Sequence, residues 1–340
     1  MSRIDDEQLA GATSPDANGD GSFFPEPRAA DSAADSGAAQ VPGGQLTPSG
    51  GEASGVGSLG RLVWGVFSEN KLALVGVGVA LFMILFSFLG PFFYHTNQTS
   101  VIVSAQNYYT PPSAAHLLGT DPNGYDELGR IMVAGRTTLE ICLIAAALAT
   151  AFGVIYGAIS GFLGGVIDAV MMRIVDVMLS IPSLFLLIVI AAIYGTTFWL
   201  LVAIVALVAW LAPARLIRGE TLTLRTREYV QAVRSMGGKN WRIIWRHIVP
   251  NAIGTVIVNA TFQIADAVGV LAALGYLGYF LPGAGSWGQM LYNGITYIEA
   301  PVSGWWLVYP VGICIILVVV AFNFIGDALR DSFEVRLQRR

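Results

Sequence analysis

The sequence predicts an all-α integral membrane protein with six transmembrane helices and both termini cytoplasmic. Three observations predict it. Of 340 residues, 54% are hydrophobic and only 12% charged, with a mean hydropathy of +0.62, whereas soluble domains carry roughly 25% charged residues. The apolar residues form uninterrupted runs as long as a bilayer core demands, about 20 residues of helix. Lys and Arg collect in alternate loops, as the positive-inside rule requires. Such a composition excludes a disordered protein, a coiled coil and a nucleic-acid binder.

Taken in chain order, residues 1–58 are rich in Gly, Ala, Ser, Pro and Asp. They cannot bury enough apolar surface to offset chain entropy, so they are expected to be a disordered acidic cytoplasmic tail. The first 60 residues hold nine Asp/Glu and two Arg, so the sequence pI of 5.4 belongs to the tail. The membrane part is mildly basic, which suits anionic lipid. No basic n-region followed by an apolar h-region marks a signal peptide. Asp16, Asn18, Asp20 and Gly21 imitate an EF-hand calcium loop, but the twelfth position is Pro27, where a bidentate Glu is needed. Residues 59–70 read as a short interfacial helix, with Arg61 and Trp64 on it and Lys71 anchoring the first span.

Residues 71–336 form the expected transmembrane domain, with spans at about 72–94, 141–163, 175–194, 198–216, 252–274 and 303–326. The run from Val177 to Ala214 is uncharged for 38 residues, too long for one span, and Gly195-Thr196-Thr197 splits it. The fifth span is interrupted only by Asp266. With the N-terminus inside, 17 of the 19 Lys/Arg lie on the inner side, leaving Arg130 and Arg136 outside. In the second span Gly153, Gly157, Gly161 and Gly165 recur every fourth residue, a smooth face that another helix can approach closely. Glu140 is expected at the outer edge of that span, reaching the interface or paired with Arg136. Asp168, Arg173 and Asp176 are expected to form a local ion-pair cluster at the next turn. Cys142 and Cys314 sit in apolar runs and read as small buried hydrophobes. His95, His116 and His247 lie far apart, so no metal site is expected.

Eight of the basic residues fall in one loop, 215–251, too long for a plain connector. Thr226 is a plausible N-cap with Glu228 in the first turn. Tyr229, Ala232, Val233 and Met236 then share one helical face, and Gly237-Gly238 stops the helix. A second amphipathic stretch, Trp241–Ile248, leads to Pro250. Two short helices joined at a glycine make a docking knob; a solvated basic loop is the plainer reading.

This segment resembles the EAA loop of binding-protein-dependent ABC importer permeases, in particular the second permease subunit of the dipeptide/oligopeptide/nickel group. The family pattern is Glu-Ala-Ala, three residues, Gly, nine residues, Ile-x-Leu-Pro. Gln231, Ala232, Val233, Gly237, His247, Val249 and Pro250 stand at its places, and Arg227–Val230 with Arg246–Asn251 match the peptide-subgroup variant. Further likeness lies in Leu118–Arg136, in Ser286-Trp287-Gly288, and in Asn323, Gly326, Asp327, Arg330 and Asp331. It covers about residues 60–336. Leu271 stands where the subgroup usually carries a Glu.

The resemblance implies the type I ABC importer permease fold in a bacterial inner membrane. It implies a transport subunit that is not an enzyme and binds no cofactor of its own, with ATP and Mg held by partner ATPase chains. The implied partners are a homologous second permease, two ATPase subunits or domains, an extracytoplasmic substrate-binding protein and membrane lipid. Glu228, Tyr229, Ala232, Gly237, Ile248 and Pro250 are the implied ATPase-coupling residues. Peptides are the leading substrate; nickel chelates, haem and sugars stay open. The residues themselves agree on the missing chemistry, because Gly238-Lys239 is followed by Asn240 and preceded by Val233 where a Walker loop needs Gly. Asp266 reads as pathway lining, a gate or a hydrogen-bonded packing residue, since a lipid-facing carboxylate costs several kcal/mol. An ATP-independent channel or carrier is the competing class; few intramembrane ionisable residues and no evident inverted repeat speak against it. A scaffold recruiting a partner through its acidic tail is the third.

Overall fold

The computed structural model of the protein describes residues 70–94, 108–283, 285–298 and 304–338. The acidic tail, most of the proposed interfacial helix, the calcium-loop lookalike and His95 lie outside them. The described residues are helical apart from turns and one isolated bridge, Thr120 to Asp126. In order the helices are α1 Lys71–Phe93, α2 Glu127–Leu163, α3 Gly165–Ser180, α4 Ser183–Tyr194, α5 Phe198–Ala209, α6 Leu211–Leu224, α7 Glu228–Ser235, α8 Asn240–Ile243, α9 Ile253–Tyr276, α10 Trp287–Ile298 and α11 Trp305–Gln338.

α1 and α9 match the expected spans, and Asn70 caps α1 by accepting from the Leu72 and Ala73 N–H groups. Four expectations need correction. The second span does not start at 141: α2 begins at Glu127 because Asp126 caps it, accepting the Gly129 N–H at 2.8 Å. Glu140 is therefore well inside a helix, though it does accept from Arg136 Nε at 2.9 Å. The third span is no straight rod: α3 and α4 meet at an 81° bend across Ile181-Pro182, since Pro182 offers no N–H to continue the ladder. The fourth span bends by 41° at Trp210 and runs on as α6 to Leu224, absorbing the first third of the basic loop. α11 continues past the expected end of the sixth span at 326 to Gln338. Among the described residues four helices are long and apolar enough to cross a membrane, and the bent pairs α3–α4 and α5–α6 raise this to six if each is one span. The split at Gly195 holds: its φ is +79, and Thr197 caps α5 by accepting from the Leu200 N–H. α10, only 12 residues, was not foreseen, because it is too short to register as a span.

α2 is the central helix, packed against α1, α5, α6 and α9. Its closest seam is with α6. A Cβ on Gly153 would lie 2.7 Å from Pro213 Cγ, one on Gly157 would run into the Ala214 carbonyl, and one on Gly161 would lie 2.8 Å from the Arg218 carbonyl. Gly165 does not belong to this seam: it lies beyond the end of α2, with φ +57 and open space where its Cβ would point. Lipid is as apolar as leucine, so membrane helices gain little from hydrophobic burial against one another and depend on close van der Waals packing. The main core joins Met83, Leu139, Leu187, Leu201, Val268 and Trp287, from six helices.

Gly157→Val should destabilise the purified protein by about 1–3 kcal/mol, the usual range for overpacking, whereas Gly165→Asn should cost under about 1 kcal/mol, because Asn tolerates positive φ. Thermal unfolding in detergent distinguishes them; equal losses would refute the seam.

Candidate functional site

The basic loop folds into an elbow. Thr226 is not the N-cap of α7. Its hydroxyl instead donates to the Thr223 carbonyl at 2.8 Å, closing the end of α6, and Arg227 takes the cap position without a side-chain bond. Glu228 does lie in the first turn, toward the positive end of the helix dipole. At the other end Gly237 has φ +80, its N–H donates to the Arg234 carbonyl, and the Gly238 N–H donates to the Val233 carbonyl, both at 3.0 Å. These two bonds make a Schellman cap, whose left-handed position favours Gly. α8 then passes into a single π-turn, Ile244–Ile248, where the Val249 N–H reaches the Ile244 carbonyl at 2.9 Å. Pro250 cannot donate further, and Asn251 Nδ2 satisfies the His247 carbonyl at 2.5 Å.

The elbow has two faces. Val230, Ile243, Ile244 and Ile248 point inward onto Val154, Ala158 and Phe162 of α2 and Ile217 of α6. Tyr229, Ala232 and Met236 point outward, with Met236 79% exposed. The exposed side chains of Arg227, Arg234, Lys239 and Arg242 lie on the same elbow, as do Trp241 and Trp245, stacked edge to face at 5.3 Å. The expected stripe is thus divided: Val233 turns inward with the core, and the other three form an outer face that no described residue covers. Of the six residues singled out in the sequence, Glu228, Tyr229, Ala232, Gly237 and Pro250 are exposed, while Ile248 is fully buried. The anchors Val230, Ile243 and Ile244 were missed, although their spacing against Ile248 carried the signal.

Below the elbow, Asp168 is not in a local cluster with Arg173 and Asp176. Its carboxylate accepts from Arg218 Nε at 2.7 Å and Nη2 at 2.6 Å, and from Ser160 Oγ at 2.5 Å. Asp176 accepts from Arg215 Nη2 at 2.5 Å. Arg225 Nη1 donates to the Gly161 carbonyl at 2.9 Å. The acids of α3 are therefore tied to α6, roughly 40 to 50 residues later in the chain, and the local pairing failed because the acids face α6. A bidentate arginine of this kind is among the stronger polar contacts available.

At the opposite end, the Leu118–Arg136 segment is a latch. Asp121 Oδ1 accepts the Asn123 and Tyr125 N–H groups, and Oδ2 pairs with Arg130. Asp126 Oδ2 lies 2.8 Å from His116 Nδ1 and accepts from the Tyr94 hydroxyl. Trp306 Nε1 donates to the Thr120 carbonyl, and the fully buried Trp287 donates to Ile131 from its ring and to Thr138 from its backbone. Asp266 lies mid-way along α9 and is exposed.

The family model for binding-protein-dependent transport system inner membrane components matches residues 153–339, and that for the N-terminal TM domain of oligopeptide transport permease C matches 58–112. The chain belongs to the binding-protein-dependent transport system inner membrane component family. Among curated relatives of this permease, the oligopeptide transport system permease protein OppC of Bacillus subtilis is 36% identical over 80% of this chain and 88% of its own length. OppC of Escherichia coli is 37% identical over 79% and 88%, and the dipeptide transport system permease protein DppC of Bacillus subtilis 34% over 81% and 85%. An inward-facing methionine ABC transporter, MetNI, gives a TM-score of 0.47 at 22% identity over 58% of this chain and 93% of the other. The protein is thus an inner-membrane transport subunit, and its described residues are helical, as the sequence led one to expect.

Asp168→Asn should lower the stability of the permease by about 1–3 kcal/mol, since it halves a charge-assisted network and leaves Arg218 without its ion pair. Thermal unfolding checks it, and an unchanged midpoint would show the pair to be ornamental.

Proposed function

We propose that this chain is one permease of an ATP-driven importer of di- or oligopeptides. Its relatives OppC and DppC are named as oligopeptide and dipeptide permeases, which supports peptides over nickel chelates, haem or sugars. The chain pairs with a homologous permease, and substrate crosses at their interface. Each permease docks an ATPase, which holds ATP and Mg. An extracytoplasmic binding protein delivers the peptide. ATP binding draws the paired elbows together and opens the pathway outward; hydrolysis resets it. Both termini lie in the cytoplasm, on the side of the elbow, and the tail 1–58 is an appendage to the membrane domain that begins at about residue 71.

The observation that carries this reading is the divided elbow. An anchored inner face and an uncovered outer face of Tyr229, Ala232 and Met236 are what a coupling element needs: one side fixed to the spans, one side free for a partner. Glu228, Tyr229, Ala232, Gly237 and Pro250 present that surface, and the surrounding arginines favour an acidic cleft on the ATPase. Ile248 acts from behind, holding the elbow against α2. Gly153, Gly157 and Gly161 let α6 follow α2 closely, so that motion of the elbow reaches the spans. A self-sufficient channel has no use for such a surface.

Ala232→Glu should abolish ATPase co-purification and peptide uptake while leaving the melting temperature within a few degrees, because the side chain is exposed. Gly237→Val should strain the left-handed cap by about 1–2 kcal/mol and weaken docking in the same assay. Full co-purification and uptake in both variants would sink the coupling assignment. Deleting residues 1–55 should leave most uptake intact; its loss would move the function to a scaffold built on the tail.

A further inference from the structure

The exposed surfaces of the spans differ in chemistry. α1 turns Leu74, Leu81, Phe82, Leu85 and Leu89 outward, a face suited to lipid. α9 turns out a stripe at helical spacing that reads Thr255, Asn259, Phe262, Asp266 and Gly269, all exposed or half-buried, with Ile253 and Ile257 beside it at the elbow end. Other positions of α9, Val268, Leu271 and Leu274 and, beside the stripe, Gln263, are buried in this chain. Gln263 is satisfied there, donating to the Ala209 carbonyl at 2.9 Å. Asn259 is half-buried and stands seven residues, two helical turns, from Asp266 on the same face, with its Oδ1 enclosed by this chain. Asp266 itself makes no hydrogen bond or ion pair with a described residue. An exposed, unpaired carboxylate is costly against hydrocarbon, and it is a hydrogen-bond acceptor suited to a cation.

We propose that the outward stripe of α9 faces a water-filled passage in which Asp266 is the counter-charge for a cationic group in transit, the ammonium of a peptide. This rests on the reading of the chain as half of a peptide-importing passage. A single carboxylate in water holds an ammonium briefly and releases it, which suits a transit point rather than a storage site.

The test uses the assembled transporter in membrane vesicles, with Cys142→Ala and Cys314→Ala as background. Gly269→Cys places a thiol one turn from Asp266, at a position where a Cβ meets nothing within 4 Å. Its modification by a cationic methanethiosulfonate (the ethylammonium reagent) is compared with that by an anionic one (the ethylsulfonate reagent). Reaction with both is expected, faster with the cation, and the rate ratio should fall about ten-fold on Asp266→Asn, as a nearby, partly screened unit charge dictates. No reaction with either reagent would overturn the passage. A ratio unchanged by Asp266→Asn, as a partner's arginine neutralising the carboxylate would give, overturns the counter-charge. Uptake of a free-amino dipeptide should fall about ten-fold in Asp266→Asn and recover in Asp266→Glu; equal uptake in all three overturns the ammonium role. If charge selectivity at residue 269 stands but the wild-type transporter takes up no peptide, the peptide reading fails and the cation site survives.

Discussion

The close approach of α2 and α6 is the constraint on which the other features depend. Within a bilayer, two apolar helices gain nothing by hiding leucines from lipid, so their association rests on how near the backbones come. Gly153, Gly157 and Gly161 bring α6 in until its Ala214 and Arg218 carbonyls occupy the space of missing side chains. Only at that distance can Arg218 reach Asp168 with both nitrogens, and only then does Arg225 reach the Gly161 carbonyl. α6 leads directly into the elbow. The seam therefore fixes where the elbow stands relative to the spans, and Val230, Ile243 and Ile248 complete the attachment from the far side.

The two ends of the spans solve the same problem with different chemistry. Chain leaving the membrane carries backbone groups that no helix satisfies. At the latch, carboxylates do the work: Asp121 and Asp126 organise a turn, cap α2 and draw in His116, Tyr94 and Arg130. At the elbow, glycine and proline do it, through a Schellman cap at Gly237 and a π-turn before Pro250. The contrast fits the proposed function. A latch that holds α1, α2 and α11 in register can be stapled by side chains, whereas an element proposed to meet a partner would keep its side chains free and let the backbone define its shape.

How much of this was legible in the sequence depended on the range of the interaction. Span positions at α1 and α9, the break at Gly195 and the stop at Gly237 are local, set by apolar runs and by residues that tolerate positive φ, and they were read correctly. The glycine ladder was read as a seam, but its fourth rung failed because periodicity does not say where the helix ends. Asp168 and Asp176 were paired with near neighbours, since a sequence offers no way to know that arginines on α6 would lie closer than one on the same helix. The bend at Pro182 was visible as a proline, yet an unbroken apolar run masked it. Thr226 had the composition of a cap, and the backbone of α6 claimed its hydroxyl first. Among the residues of the proposed coupling elbow, the pattern could name a surface helix but not which side of it was surface; Ile248 and Val233 turned inward because α2 lies behind them.

The same reasoning bears on the polar stripe of α9. Sequence alone left Asp266 divided between a packing residue and a pathway residue, because a carboxylate in an apolar span is compatible with either. The buried face of α9 is complete without it: Val268, Leu271 and Leu274 enter the core, and Gln263 finds its own acceptor. A packing role needs a partner, and the described residues supply none to Asp266. What remains is a carboxylate finished only by something beyond the described residues. Were that something lipid, the carboxylate would cost several kcal/mol and a leucine would serve better, as it does along the outward face of α1. Water, a partner subunit or a passing cation would each bear the charge, and of these an aqueous passage also accounts for Gly269, whose missing side chain leaves open space beside the carboxylate.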